Sequence, residues 1–86
     1  MNIDYSPEFV RCFKKLPHEL KIKALEREEI FRKDQFDPRL KTHKLSGKLK
    51  DCYAFYVDFK TRIIFEFDNN KKVAYFHSVG GHDIYK

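Results

Sequence analysis

The sequence predicts an α+β domain in which a two-helix hairpin covers one face of a small, twisted, mainly antiparallel sheet. Three observations carry this prediction. An alternating segment opens the chain, two helical segments joined at a proline follow it, and three strand-like segments end it. The expected order of elements is therefore βααβββ. At 86 residues we expect a single domain, 1-86, near the lower end of the sizes that fold alone.

The N-terminal half holds the first strand and both helices. Residues 2 to 5 alternate polar and apolar side chains, which is typical of a half-buried strand. Ser6 and Pro7 then favour a helix start, because serine caps the first turn and proline fits its first position. Pro17 starts a second helix that should end near Lys33, since proline is tolerated only in a first turn. The second helix has an apolar stripe that should face the sheet: Leu20, Ala24, Leu25 and Phe31.

The C-terminal half holds three strands. Residues 52–58 and 62–67 each alternate two sets of side chains, so each strand can turn one set towards a core. Residues 68–71, Asp-Asn-Asn-Lys, should form a hairpin turn, because asparagine tolerates a positive φ. Residues 73–79 are largely apolar on both sides, which predicts a strand inside the sheet. Residues 39–50, which precede these strands, are expected to be a polar loop.

Charge is unevenly distributed along the chain. The net charge is +5 and the pI about 9.3, which suits a polyanionic partner such as nucleic acid or an acidic protein. Every charged residue in the 39–50 loop is basic, so one side of the fold should be strongly positive. The sequence has no apolar run long enough to span a membrane and no signal-peptide pattern. We therefore expect a cytoplasmic protein with no membrane partner.

The two cysteines, Cys12 and Cys52, are too few and too far apart for a disulfide framework. We expect both to be reduced thiols in or near the core, as is usual in a cytosolic protein. They also lack the spacing of a zinc site. The sequence therefore gives no reason to assign a metal or a cofactor.

Several polar residues could act on a phosphate at the edges of the sheet. Arg62 opens a strand, and is either a solvated strand-end arginine or a clamp that binds phosphate through two bonds. His82 follows two glycines, and is either a surface histidine or a general acid or base. Tyr85 could anchor the C-terminus, stack on a base or donate a proton. His43 heads the basic loop and could simply be solvated, while His77 should be a hydrogen-bonded core histidine.

Taken together, these features resemble the RelE/ParE toxin superfamily, the toxic halves of bacterial and archaeal toxin–antitoxin pairs. Four segments carry the resemblance over almost the whole chain. They are Tyr5-Ser6-Pro7-Glu8-Phe9 with Lys15-Leu16-Pro17, His43-Lys44-Leu45-Ser46-Gly47-Lys48-Leu49, Arg62-Ile63-Ile64-Phe65, and Val79-Gly80-Gly81-His82-Asp83-Ile84-Tyr85. The second segment is similar to the YafQ-like branch, and the third is similar to the RelE and YoeB branches.

The resemblance implies a RelE-like fold and a metal-independent endoribonuclease that cuts mRNA on the ribosome by attack of the ribose 2′-hydroxyl. Its implied catalytic residues are His43, Arg62, His82 and Tyr85. We expect RNA binding by Lys41, Lys44, Lys48, Lys50 and Tyr56, although the four lysines could instead simply solubilise the loop. The resemblance also implies a cognate antitoxin, which we expect to be acidic and partly disordered.

Two other functions remain open. One is a ParE-type toxin, which shares the fold but inhibits DNA gyrase by binding. The other is a degenerate family member that only binds RNA or an antitoxin. Two histidines and Arg62 favour the nuclease, because a pure binding module needs no acid/base pair.

Overall fold

The structure, a computed structural model, describes residues 1–81. These residues form five strands and two α-helices: β1 (Asn2–Tyr5), α1 (Pro7–Lys14), α2 (His18–Lys33), β2 (His43–Lys44), β3 (Tyr53–Tyr56), β4 (Arg62–Phe67) and β5 (Val73–Gly80). The strands make one sheet in the order β1-β5-β4-β3-β2. Only the β1–β5 pairing within this described sheet is parallel. The predicted α+β class is confirmed, and β5 lies inside the sheet as expected.

Ser6 fixes the junction between β1 and α1. Its hydroxyl oxygen accepts a hydrogen bond from the Phe9 backbone N–H at 2.8 Å, which caps α1 as the sequence predicted. The same hydroxyl donates to the His77 carbonyl of β5 at 2.6 Å. A serine cap contributes about 1 kcal/mol to helix stability. Here the capping group also ties the helix start to the middle of the sheet.

The core lies between the helices and one face of the sheet, with Phe31 of α2 fully buried inside it. Its ring stacks on that of Phe55 in β3, with the ring centroids 5.0 Å apart. It also meets Phe65 of β4 and Phe76 of β5 edge-on, at 4.8 and 5.3 Å. Such aromatic pairs stabilise beyond the area they bury. One helical side chain thus holds three strands.

Leu25 does not face the sheet, contrary to the prediction. Its side chain is 53% exposed, whereas Ala24 is buried. Neighbouring helical residues point about 100° apart, and the rotation of α2 turns Ala24 inward and Leu25 outward. Glu28 takes the core-facing position one turn further on, where it is buried. Its carboxylate accepts hydrogen bonds from the Tyr5 hydroxyl and from Arg32, the latter at 3.0 Å.

Residues 39–50 are more regular than the polar loop that was predicted. They contain β2 and most of two single-turn 3-10 helices, Pro38–Leu40 and Gly47–Leu49. The β2 strand pairs antiparallel with β3 and forms an edge of the sheet. Two residues are too few to show an alternating pattern, so this strand could not be predicted from sequence.

The β4–β5 turn is confirmed, but its chemistry differs from the prediction. The residue with positive φ is Lys71, at 56°, rather than an asparagine. The Asp68 carboxylate accepts hydrogen bonds from the backbone N–H groups of Lys72 and Val73, at 2.8 and 3.1 Å. This aspartate therefore organises the turn, as short polar side chains commonly do.

Both cysteines are free thiols, as predicted, with Cys12 partly buried and Cys52 buried. Within residues 1–81, no helix is long and apolar enough to cross a membrane.

Replacing Phe31 with alanine should lower the free energy of unfolding by about 3–5 kcal/mol, because three surrounding rings cannot all move into the vacated space. Phe59→Ala is the matched control, since that side chain is 80% exposed. The control should change stability by no more than about 0.5 kcal/mol. Urea denaturation measures both variants, and equal losses would contradict the central position of Phe31.

Tyr5 should lose its hydroxyl proton at a higher pH than an ordinary tyrosine. Partial burial, followed by the hydrogen bond and negative charge of Glu28, raises the pKa of Tyr5 from 10.0 to about 12. The neutral phenol is thus favoured in the folded state, so its stabilising contribution is complete below about pH 10 and is lost as the pH rises towards 12. Ultraviolet titration should show one late tyrosinate that is missing in Tyr5→Phe. A stability difference between wild type and Tyr5→Phe that stays constant across this pH range would contradict the assignment.

Candidate active site on the open face of the sheet

The face of the sheet away from the helices carries three polar side chains that lie together: His43, Tyr56 and Arg62. We call them the Arg62 cluster. Strand alternation turns Phe55 and Ile63 into the core, so their neighbours Tyr56 and Arg62 face the other way. Tyr56 and Arg62 are also direct cross-strand partners on β3 and β4. The sequence had named all three residues but could not show that they meet.

The Tyr56 ring joins the other two members of the Arg62 cluster. The guanidinium carbon of Arg62 lies over this ring, 4.9 Å from its centroid. The His43 ring also packs against the Tyr56 ring, with centroids 5.8 Å apart and planes tilted by 30°. A cation over an aromatic face gains about 0.5–1 kcal/mol at an exposed site. Tyr56 therefore contacts both a permanent positive charge and an imidazole.

His43 is exposed, and its ring orientation is set by one backbone group. Its Nδ1 lies 3.0 Å from the Lys41 carbonyl oxygen. A carbonyl only accepts hydrogen bonds, so Nδ1 carries the proton of the neutral ring. The other nitrogen, Nε2, is then the one that can accept a proton from a bound molecule.

Beside the Arg62 cluster lies a groove of about 330 Å³, which we call the basic groove. It is lined by Arg27, Arg39, Lys41, Tyr56, Val57, Asp58 and Phe59. Arg27 was not singled out from the sequence. It comes from α2, one turn before Phe31, and its guanidinium donates to the Arg39 carbonyl at 3.2 Å. Arg27 lies four residues before the buried Phe31 on the same helix, and this spacing was the one available sign that Arg27 borders the sheet.

The cations of the basic groove are not equivalent. The Arg39 guanidinium makes two hydrogen bonds to the Asp37 carboxylate, at 3.0 and 2.8 Å. These side-chain hydrogen bonds, together with one from the Arg39 backbone N–H, lower the pKa of Asp37 to about 2. The pair therefore stays charged at neutral pH. Much of the Arg39 charge is thus balanced locally. Lys41 and Arg27 contribute more of the net positive potential.

Asp58 is the acidic residue of the basic groove, and it organises the β3–β4 turn. Its carboxylate accepts hydrogen bonds from the backbone N–H groups of Lys60 and Thr61, at 2.9 and 2.6 Å. Burial acts to raise its pKa, but these hydrogen bonds outweigh burial and hold the pKa below its ordinary value. Asp58 is therefore ionised at neutral pH, which makes it unsuitable as a general acid.

The predicted RNA-binding lysines do not share one surface. Lys41 lines the basic groove. Lys44 pairs with Tyr53, whose side chain packs against the helix-side core, so strand alternation turns Lys44 to the opposite face from His43. Lys48 and Lys50 are exposed, within and just after the second 3-10 helix. The single strongly positive side expected from the loop is thus divided between faces.

His82 and Tyr85 lie outside the described residues, so their roles remain predictions. The described part of β5 ends at Gly80, which is the cross-strand partner of Arg62. His77 is described, and it is not the hydrogen-bonded core histidine that was predicted. Its side chain is 36% exposed, and its Nε2 lies 3.9 Å from a Glu66 oxygen, too far for a hydrogen bond.

Comparison with known proteins finds likeness in structure only. No family model and no curated protein matches the sequence. The YoeB/ParE toxin from Agrobacterium tumefaciens superposes with a TM-score of 0.81 at 9% identity, over 95% of this chain and 99% of that one. YafQ from E. coli strain BL21(DE3) gives 0.72 at 20%, over 98% and 96%. The archaeal RelE–RelB complex from Pyrococcus horikoshii OT3 gives 0.75 at 18%, over 93% and 92%.

Proposed function

We propose that this chain, which has the fold of the RelE/ParE toxin superfamily, is the toxin of a type II toxin–antitoxin pair and cuts mRNA on the ribosome. The observation that carries the proposal is the Arg62 cluster beside the basic groove. It brings a permanent cation, a histidine whose Nε2 can accept a proton, and an aromatic ring to one face. The cation and the histidine are two of the three groups that RNA cleavage without a metal requires, and the ring can stack on a base.

RNA carries its own nucleophile. Once the ribose 2′-hydroxyl loses its proton, its oxygen forms a bond to the adjacent phosphorus, and the bond from phosphorus to the 5′-oxygen breaks. The products are a cyclic phosphate and a 5′-hydroxyl, which receives a proton. The reaction therefore needs a base, an acid, and positive charge on the phosphate oxygens.

His43 is suited to the base. Its Nδ1 is engaged by the Lys41 carbonyl, which leaves Nε2 as the proton acceptor. Arg62 supplies the positive charge, and a guanidinium remains charged at any working pH. We assign the acid to His82, which follows Gly80, the partner of Arg62, by two residues. Tyr85 would stack on the RNA or align it.

The basic groove gives the RNA a path away from the cleavage point. Lys41 and Arg27 would attract phosphates, and Tyr56 offers a ring on which a base can stack. Each stacked base contributes about 1–3 kcal/mol to binding, with little sequence preference.

The helix side of the molecule offers a separate surface for the antitoxin. A groove of about 380 Å³ between α1 and α2 is lined by Tyr5, Phe9, Val10, Phe13, Lys14, Leu25 and Glu28. Val10 and Leu25 are 42% and 53% exposed there. An acidic, partly disordered antitoxin could order an amphipathic helix in this groove, with its acidic residues near Lys14. The archaeal RelE was solved as a complex with RelB.

An in vitro translation reaction with primer-extension mapping tests the proposal. Cuts within ribosome-bound message, unchanged by a chelator at fixed free magnesium, are the expected result. A supercoiling assay with DNA gyrase runs in parallel. Blocked supercoiling without RNA cleavage would establish the ParE-type activity instead, and inactivity in both assays would indicate a member that only binds.

Arg62→Ala should lower the cleavage rate by about 10²–10³-fold, through loss of charge on the scissile phosphate. Arg62→Lys should recover only part of this loss, because an ammonium cannot bind two phosphate oxygens in one plane. Arg11→Ala is the control, since Arg11 is an exposed arginine on α1. Primer extension measures the rates, and thermal melting verifies folding. Full activity in Arg62→Ala would remove Arg62 from the mechanism.

Lys41→Glu and Lys44→Glu make a matched pair, because both reverse one exposed charge in the same short segment. Lys41 lines the basic groove, while Lys44 faces the other side of the sheet. Lys41→Glu should therefore weaken ribosome or RNA binding more, and lower the slope of log K against log salt by about one or more. Affinities across a salt series measure both. Equal effects would show that the RNA does not follow the groove.

A further inference from the structure

We infer that Cys52, Glu66 and His77 form a binding site for a transition-metal ion of the zinc type, a site unrelated to the proposed RNA chemistry. One potential ligand atom from each residue lies within 4.8 Å of the other two: the Cys52 sulfur, a Glu66 carboxylate oxygen and a His77 ring nitrogen. Thiolate, imidazole and carboxylate are the three ligand types that zinc prefers in proteins. The sequence showed no zinc spacing because the ligands come from separate parts of the chain: Cys52 just before β3, Glu66 in β4 and His77 in β5.

A β-bulge aims His77 into this cluster. Between β4 and β5 the pairing passes from Ile64↔Ser78 to Phe65↔Phe76, which leaves His77 as the extra residue. Bulges of this kind redirect a side chain and often lie beside functional sites. Phe76 is buried in the helix-side core, so its neighbour His77 faces the open side of the sheet, as Glu66 does.

The His77 ring nitrogen lacks a partner that its position requires. Its Nε2 is buried, yet it has no hydrogen-bond partner among residues 1–81. The Glu66 oxygen at 3.9 Å is too distant to supply one. Leaving such an atom unsatisfied costs about 1–3 kcal/mol. The His77 ring also packs against the Tyr75 ring in a T-shaped arrangement, with the two centroids 4.7 Å apart. A metal ion would give this nitrogen the partner it lacks.

Cys52 supplies a sulfur atom from a buried position beside Glu66 and His77. It is 8% exposed and is a free thiol. Burial, followed by the nearby negative charges of Glu66 and Asp51, raises the pKa of the Cys52 thiol. Metal binding would form the sulfur–metal bond and release that thiol proton to solvent.

The geometry allows the cluster to close on an ion. Zinc ligands lie about 2.0–2.3 Å from the metal, so the three atoms must come somewhat nearer to one another. Glu66 can make this adjustment, because its side chain is 41% exposed. Residues 1–81 supply three ligands, which leaves a fourth position for water or an added ligand. Glu66 is four residues along β4 from Arg62, about 13 Å at the usual strand rise, so the ion would not touch the Arg62 cluster.

Cobalt(II) titration of the chelator-stripped, reduced protein tests the site, because a thiolate–cobalt bond gives a near-ultraviolet charge-transfer band. The wild type should show this band at one ion per chain, with zinc displacing the cobalt. Cys52→Ser should lose the band. Cys12→Ser, which removes the other free thiol, should keep it.

Two further variants test the other two proposed ligands. His77→Gln and Glu66→Gln change partly exposed side chains and should retain the fold, with cobalt binding weakened in both and circular dichroism unchanged. Zinc should raise the melting temperature of the wild type and of Cys12→Ser, but not that of Cys52→Ser. A wild type without the cobalt band, or a band that survives in Cys52→Ser or is unaltered in His77→Gln, would overturn the assignment.

Discussion

The insertion of Phe31 among the rings of three strands is the packing on which the rest of the structure depends. It commits one face of the sheet to the helices, because Phe55, Phe65 and Phe76 must all point towards α2. Strand alternation then sends the neighbouring side chains to the other face. Tyr56 therefore stands on the open side as a consequence of where Phe55 is buried. The hydrophobic core thus determines the chemistry of a surface that it does not touch.

The open face carries two kinds of chemistry along one strand. At the start of β4, Arg62 lies over Tyr56 in a basic surrounding that suits a polyanion. Towards its end, Glu66 lies beside a thiol and an imidazole, which suit a small soft cation. The β-bulge separates the two regions, because it changes the pairing register between them. A single short strand can present both because Arg62 and Glu66 lie on the same face four residues apart, with the buried Ile64 between them.

The sequence predicted those parts of the fold that follow from local patterns. A period of two placed Arg62 opposite the core, and the Ser6-Pro7 pair marked the start of α1. Features that depend on contacts distant in the chain were not predictable. Leu25 is exposed and Glu28 is buried because the rotation of α2 is set by the sheet it packs against.

The candidate site, like the fold, could be predicted from the sequence only in part. The sequence named His43, Tyr56 and Arg62, because their residue types suit RNA chemistry. It could not show that they are neighbours, since this depends on β2, a strand of two residues. Nor could it reveal the position of His77, which is set by the register between β4 and β5. Local pattern identifies candidate residues, and strand register decides which of them meet.

The parallel pairing of β1 with β5 has a consequence for how the molecule is made. Asn2 pairs with Val73, so β1 waits for a strand that is synthesised much later. The Ser6 hydroxyl likewise cannot reach the His77 carbonyl until β5 has emerged. Contacts of such long sequence separation form slowly and late in folding. The sheet therefore cannot be completed until β5 has been synthesised, and β5 is the last strand of the described residues along the chain.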